Sequence, residues 1–523
     1  MRKILLIPAM IFLLFACSSE NEAITDDKQK NTDRIYNAEA VIPPQCYTKT
    51  EAHYNPCYTC HQSFEYGSRP NQIQDAGLQG QYTFTDTAQT NHWTNLFKDR
   101  RDVIAAISDD EVLNYINQDN YSALKARLQR QKWTGYLPDL TGFQLAAEAF
   151  DAQGIATDGS SWVAFNYKPL PSTFWPANGS TDDVVIRLPA IFRQDGSGSY
   201  NRNLYQANLA ILEAAIKNLQ QIDTVLLDET QFQQDLNNDK LLGRINTLQR
   251  PDYYLGAASA IAVTPFLYPQ GTELMHSVRY VGVSESDDIS NATRMKELRY
   301  MRKIRFYSRE GLASRYDNER QERIDGQLPS YVSAGDWGLD NGFGWQILGF
   351  IEDAQGDLRP QSHEENMFCM GCHSTLGVTI DQTFSYARKL PGEAGAGYIN
   401  LKGMADASTV GELEGEILRY LQRVGGGNEF RENNEILEKY FNADGTVNKA
   451  AVSAADVYDL ITPSATRALE LNKAYWTIVK EQSFIRGRDA TVAPVTNVYS
   501  QVDMQSAPLP EQYQYHGDLR LDW

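Results

Sequence analysis

Cysteine and histidine are scarce in this chain, whose 523 residues contain six cysteines and seven histidines. So few cysteines exclude a scaffold stapled by many disulfides, the usual device of small exported domains. Positive charge is also in deficit, since the formal net charge is -19. A chain of this charge is repelled by phosphates, so we expect no nucleic-acid partner. The acidic balance suits a basic protein partner or solubility alone.

Long apolar runs are absent as well. No stretch reaches the roughly 18 consecutive apolar residues that a transmembrane helix needs. The apolar share of 42% and the charged share of 22% are those of a globular protein, which excludes wholesale disorder. At about 150 residues per domain, the length allows two or three domains.

The N terminus has the pattern of a bacterial lipoprotein signal. Met-Arg-Lys precedes an apolar run over residues 4–16, which is too short to span a bilayer. Residues 14–17 read Leu-Phe-Ala-Cys and resemble a lipobox, in which Cys17 is acylated and anchors the mature protein. We predict a signal peptide over 1–16 and a flexible tether over 17–37, with a plain signal peptide as the alternative. Ser18 after the cysteine resembles lipoproteins of the outer membrane, facing the periplasm or the cell surface.

Four of the six cysteines form two CxxC pairs, and a histidine follows each pair directly. Residues 57–61 read Cys-Tyr-Thr-Cys-His, and residues 369–373 read Cys-Met-Gly-Cys-His. With this spacing two thiols can each add to one haem vinyl group, while the adjacent histidine gives a nitrogen to the iron. Structural zinc and a thioredoxin-like pair are the alternatives, but neither explains the histidine after both pairs.

The two pentapeptides resemble the haem-attachment sites of di-haem c-type cytochromes. The resemblance is confined to these motifs and implies two covalently bound haem c groups. His61 and His373 would be the proximal iron ligands. The residues that the resemblance assigns to haem binding are Cys57, Cys60, His61, Cys369, Cys372 and His373.

The distal ligand of each iron is less directly indicated, because histidine and methionine both serve in that position. His53 and His363 lie close upstream of the two motifs and can fold back over a haem. Met404 follows the second motif in a glycine-containing loop, which resembles the arrangement in small c-type cytochromes. A lone methionine is also common core filler. The candidate distal ligands are therefore His53, His363 and Met404.

The roles of three further residues, two histidines and one cysteine, are considered separately. His92 is another candidate for the first haem, whereas His276 is expected to be a packed, hydrogen-bonded strand residue. Cys46 has no partner left once the other cysteines are assigned. It is either a buried inert thiol beside the first haem, or a thiolate ligand or sulfur-reactive centre.

The periodicity predicts an α+β protein in which mainly helical haem-binding regions flank a mixed α/β middle section. We expect a first haem region over 38–150, the middle section over 151–345, and a second haem region with C-terminal helices and an extended tail over 346–523. Ser108 and Glu111 form a capping-box pattern at a helix start. Helical spacing marks 204–219, 409–424 and 464–481, and strand patterns mark 162–167, 184–188, 277–283 and 299–307.

Two smaller patterns carry weaker predictions. Asp235, Asn237 and Asp239 place oxygen ligands at alternate positions, like the start of a calcium loop. Lys240 stands where such a loop has glycine, so a solvated turn is the alternative. Glu364 and Glu365 precede the second motif and suit either proton transfer or a solvated surface.

Electron transfer is the function that these features favour, with an unidentified redox protein as the partner. The alternative is a catalytic di-haem oxidoreductase, peroxidase-like or acting on sulfur compounds, in which one iron keeps an open or weakly held position. A docking role in a larger respiratory complex is a third hypothesis. Whether the protein is an enzyme stays open at this level.

Overall fold

A computed structural model of the chain describes residues 37–49, 56–64, 69, 84–172, 175–429 and 431–502, with 504–505, 510, 514–515 and 518–523 near the C terminus. The predicted signal peptide and Cys17 lie outside these residues, as does His53. The stretch Tyr36–Trp523 forms one compact unit, to which the regions 38–150, 151–345 and 346–523 all contribute. No helix among the described residues has the length and apolar character to cross a bilayer.

An antiparallel sheet of eight strands organises the unit, in the order β1-β2-β5-β6-β9-β8-β7 with β10 paired to β9. A separate hairpin joins β3 to β4. β5 and β6 are the longest strands and lie side by side in the sheet. The strands are β1 Val163–Ala164, β2 Thr181–Arg187, β3 Gln221–Asp228, β4 Arg244–Gln249, β5 Glu273–Val283, β6 Ile289–Lys303, β7 Val332–Ser333, β8 Leu339–Asp340, β9 Trp345–Glu352 and β10 Leu358–Pro360.

Helices precede the strands, lie between them and follow them along the chain. They are α1 Arg101–Ala105, α2 Asp109–Ile116, α3 Leu124–Arg130, α4 Arg202–Ile216, α5 Arg309–Ile324, α6 His363–Met370, α7 Gly392–Gly395, α8 Glu416–Val424, α9 Asn434–Tyr440, α10 Lys449–Ala454, α11 Val457–Ile461 and α12 Ala465–Glu481. The predicted α+β class is confirmed.

The two faces of the sheet pack against different parts of the chain, because side chains alternate along a strand. Met275, Leu298 and Leu348 belong to a core cluster that also contains α3 and the segment after it. Leu274, Met301 and Ile347 belong to the largest core cluster, which includes Met367, Cys369 and Met370 of α6. The second face of the sheet therefore lies toward the second CxxCH motif.

Several predicted elements are confirmed with shifted ends. The capping box at Ser108 is present, since its hydroxyl accepts from the Glu111 N–H and the Glu111 carboxylate accepts from the Ser108 N–H. The helix predicted over 409–424 begins only at Glu416, where the Asp406 carboxylate accepts the N–H groups of Ile417 and Leu418 at 2.9 and 3.0 Å. Here a distant carboxylate sets the helix start, which periodicity does not reveal.

Candidate functional site

Both CxxCH motifs adopt the same tight helical turn. In the first, the His61 N–H donates to the Cys57 carbonyl at 2.9 Å; in the second, the His373 N–H donates to the Cys369 carbonyl at 3.0 Å. The first turn is a short 3₁₀ segment, Pro56–Thr59, and the second continues from the end of α6. None of the described cysteines forms a disulfide. Each turn therefore keeps two thiols and an imidazole together.

The fold brings the two motifs into contact although Cys60 and Cys372 are 312 positions apart (372 minus 60). The Val378 N–H donates to the Cys60 carbonyl at 3.1 Å. At Gly377, a Cβ would lie 1.6 Å from the Gln62 carbonyl oxygen. Only a residue without a side chain permits this approach of the two backbones.

The first motif opens into a cavity of about 1280 Å³, measured out to its mouth. The lining includes Cys57, Cys60 and His61 of the motif together with Cys46. Other lining residues are both apolar and polar, and they include Val41, Ile42, Phe84, Leu170, Leu328, Leu376, Glu319, Arg323, Tyr331 and Glu429.

The second motif borders a separate cavity of about 1050 Å³. Cys369, Cys372 and His373 line one side of it, and the second face of the sheet lines another. Cys372 and Leu170 line both cavities. The two cavities are therefore neighbours separated by little more than one motif.

His373 is held in the state that a metal ligand requires. Its Nδ1 lies 2.8 Å from the Gln382 carbonyl oxygen, which accepts a hydrogen bond from the Nδ1–H, so the lone pair is on Nε2. Burial lowers the pKa of His373 to about 4, although the Gln382 carbonyl opposes the shift. The ring is thus neutral at pH 7. The Asn341 side chain also holds the His373 carbonyl at 3.0 Å.

The thiols of both motifs lie in surroundings that disfavour charge. Burial raises the pKa of Cys60 and Cys369, and raises that of Cys372 to about 11. The same cause raises the pKa of Cys46, which lines the first cavity. Apolar walls, paired thiols and a histidine in each cavity fit covalent haem c in both positions.

The structure does not bring two of the predicted distal ligands to either cavity. His363 is exposed at the first turn of α6. Met404 is 4% exposed in an apolar cluster with Trp175, Ile417 and neighbouring residues. His92 instead places its Nε2 3.2 Å from a carboxylate oxygen of Glu39.

The sheet residues that line the second cavity are not marked by any motif in the sequence. His276 and Arg299 are directly paired across β5 and β6 and both line it. The His276 Nε2 lies 3.0 Å from the Asp182 Oδ2, and Asp182 also lines the cavity. Strand alternation in residues 273–283 marks two faces, but it does not say which face meets the motif.

The predicted calcium loop and Glu365, an acidic residue before the second motif, both make hydrogen bonds or ion pairs within the protein. Asp235, Asn237 and Asp239 lie between β3 and β4, where their side chains accept backbone N–H groups, including that of Lys240 at 2.8 Å. Glu365 is buried and pairs with Arg359 at 2.8 Å, so it is not the solvated acid that one alternative described. It also caps α6.

Comparisons with known proteins place the chain among lipoproteins. A family model described as a lipoprotein family matches residues 30–458. An uncharacterized lipoprotein of Aquifex aeolicus (strain VF5) is 31% identical over 542 positions, which cover 92% of this chain and 91% of the relative. No solved structure matches the chain.

Proposed function

The chain belongs to the lipoprotein family whose model it matches over residues 30–458, and we propose that it is an exported, lipid-anchored di-haem c-type cytochrome that transfers electrons. Cys17 would carry the lipid. Outer-membrane attachment, with the protein facing the periplasm or the cell surface, is part of the proposal. The partner would be another redox protein, and the net charge of -19 favours a basic docking face on it.

One observation carries this proposal: each motif histidine lines its own large cavity, and Cys372 and Leu170 line both. Two groups bound there would be direct neighbours. Their closeness suits electron exchange inside the protein, so that an electron received at one cavity can leave from the other. Covalent attachment also suits an exported protein, because it prevents loss of the group to an open compartment.

The residues of the chain have separate tasks in this function. The thiols of Cys57 and Cys60, and of Cys369 and Cys372, would hold the two groups as thioethers. His61 and His373 would give one nitrogen to each iron. The bound haem supplies one-electron chemistry. The Gln382 carbonyl, 2.8 Å from His373 Nδ1, fixes the ring so that Nε2 remains the donor.

A catalytic di-haem oxidoreductase is the second candidate. Polar side chains are concentrated on the sheet wall of the second cavity, where Asp182, His276 and Arg299 all lie. Such groups can hold a substrate or move its protons. An iron with an open position would be high-spin in the oxidised protein, whereas a carrier with two strong ligands would be low-spin throughout.

Haem content after export from a bacterium with c-type cytochrome maturation tests the main proposal. We expect two haems per chain by pyridine haemochrome, and one each in the Cys57→Ala/Cys60→Ala and Cys369→Ala/Cys372→Ala variants. Cys46→Ala is the matched control and should keep two, because Cys46 lies outside both motifs. Wild-type protein that contains zinc and no covalent haem would overturn the proposal.

A further inference from the structure

We infer that His276, positioned by Asp182, is the distal ligand of the haem in the second cavity. The inference rests on the proposed function, because it assigns the sixth position of an iron held by His373. It also replaces a sequence-based expectation, since His276 was expected to be an ordinary packed strand residue.

The register places His276 and Arg299 side by side on the cavity wall. Val184 of β2 pairs with His276 of β5, which pairs with Arg299 of β6. Asp182 lies two residues before Val184, on the same face of β2. All four line the cavity that His373 lines. These residues therefore lie on the wall formed by the sheet, while His373 comes from the motif.

The next row of the same face is apolar. Leu274 pairs with Met301, and Met301 pairs with Ile347. Met301 is 7% exposed and belongs to the largest core cluster. Its thioether is the other iron-ligating group on this wall, but its cross-strand partners are both hydrocarbon and provide nothing that fixes the sulfur.

Other polar groups of the cavity are unsuited to bind iron. A guanidinium has no lone pair to donate, and Arg299 is held by Glu297 with Nε 2.8 Å from Oε2. The Tyr300 hydroxyl donates to Glu273 at 2.6 Å. Burial raises the pKa of Tyr167 well above its ordinary value, so this phenol stays protonated. His276 is the strongest remaining donor among the described lining residues.

The contact with Asp182 favours His276 over Met301 as the distal ligand of the iron. A metal-bound histidine usually donates its other ring N–H to a carboxylate or carbonyl, which fixes the ring and makes it a stronger donor. The His276 ring is 3.0 Å from Asp182, as the His373 ring is 2.8 Å from the Gln382 carbonyl. Asp182 holds the Nε2 of His276, which leaves Nδ1 as the nitrogen for the iron, whereas the Gln382 carbonyl holds the Nδ1 of His373 and leaves Nε2.

Two histidine ligands would close the second iron to substrate. That haem would then be six-coordinate and low-spin, and it would serve electron transfer rather than catalysis. Exchange of a histidine ligand for methionine raises the reduction potential. Asp182 is a positioning residue in this scheme, because it acts on the iron only through His276.

Spectroscopy of the full exported chain tests the assignment. We expect His276→Ala to keep two haems but to convert half of the low-spin iron to high-spin in the oxidised electron paramagnetic resonance spectrum. Added imidazole should restore the low-spin signal, which separates loss of a ligand from misfolding. His276→Met should raise the reduction potential of one haem. Asp182→Asn should raise it less, with the iron still low-spin.

Two variants are matched controls. His363→Ala removes an exposed histidine outside both cavities and should leave the spectrum unchanged. Met301→Leu keeps the volume of the apolar row and should also leave it unchanged. A His276→Ala protein with two haems and a wild-type spectrum would overturn the inference, as would loss of low-spin iron in Met301→Leu alone. Absence of covalent haem from every protein, wild type included, would instead refute the proposed function.

Discussion

Glu416 supplies a buried carboxylate to an ion cluster beside the second cavity. Its Oε2 lies 2.5 Å from the Lys168 Nζ, and its Oε1 lies 2.9 Å from the Arg388 Nη1. The side chains of Lys168, Arg388 and Glu416 are 0, 1 and 6% exposed. Asp406 completes the cluster with an oxygen 3.3 Å from the Lys168 Nζ, so two cations face two anions.

The Glu416→Gln variant would leave two buried cations facing one carboxylate. Removal of one partner from a buried pair costs about 3–5 kcal/mol, because the remaining charge is neither hydrated nor matched. Glutamine keeps the size of the side chain, so the charge is the main loss. We therefore expect the free energy of unfolding to fall by about 3–5 kcal/mol at pH 7.

The pH dependence gives a second, sharper expectation. Burial by itself would raise the pKa of Glu416, but Arg388 and Lys168 outweigh it and hold the pKa below the ordinary value of 4.5. A carboxyl whose pKa is lowered by folding stabilises the fold above the pKa of the unfolded chain, and this stabilisation is lost as the pH falls through the folded pKa. The difference between wild type and Glu416→Gln should be constant from pH 7 to 5 and should narrow below about pH 4.5.

Urea unfolding followed by tryptophan fluorescence at pH 7 and pH 3 measures both quantities. Asp288→Asn is the matched control, since it breaks an ion pair with Lys402 in which both side chains are 54% exposed. We expect no measurable change there. A loss below about 1 kcal/mol in Glu416→Gln at pH 7, or a loss that persists unchanged at pH 3, would refute the reasoning.

Two further predictions concern the second cavity and the contact between the motifs. The pKa of Glu297 is lowered to about 2, because Arg299 and Arg488 outweigh the effect of burial. Its charge should contribute about 3 kcal/mol at pH 7 and less than half of this by about pH 3. Urea unfolding of wild type and Glu297→Gln at pH 7 and pH 3 checks this prediction. An equal loss of unfolding free energy at both pH values would contradict it. Gly377→Ala should cost about 1–3 kcal/mol through overpacking, since its Cβ would meet the Gln62 carbonyl. Gly196→Ala, where nothing lies within 4 Å, should be neutral, and equal thermal midpoints for both variants would count against the contact.

Local signals in the sequence predicted local structure well. The capping box at Ser108 and the helix that starts after Ser464 depend on hydrogen bonds within three residues. The same applies to the two CxxCH turns, each closed by one bond within the motif. These features form from neighbouring residues whatever the rest of the chain does.

Nearness in sequence to the second motif does not place His363 or Met404 in the lining of either cavity. His363 is six residues before Cys369, and α6 connects them. At about 1.5 Å of rise per residue, the helix carries His363 about 9 Å away from the motif. Met404 follows the second motif, but apolar side chains around Ile417 bury its thioether in a different cluster. Helix geometry and core packing therefore decide where both residues lie.

The amino-acid sequence names the residues that we propose to hold haem, because thioether attachment requires two cysteines and a histidine within one helical turn. It also determined the acidic charge and the lipoprotein character that the family match supports. Long-range packing makes Cys60 and Cys372 neighbours and places His276 in one cavity with His373. Both results depend on strand register and on backbone contact between distant segments, where a shift of one residue turns each side chain to the opposite face.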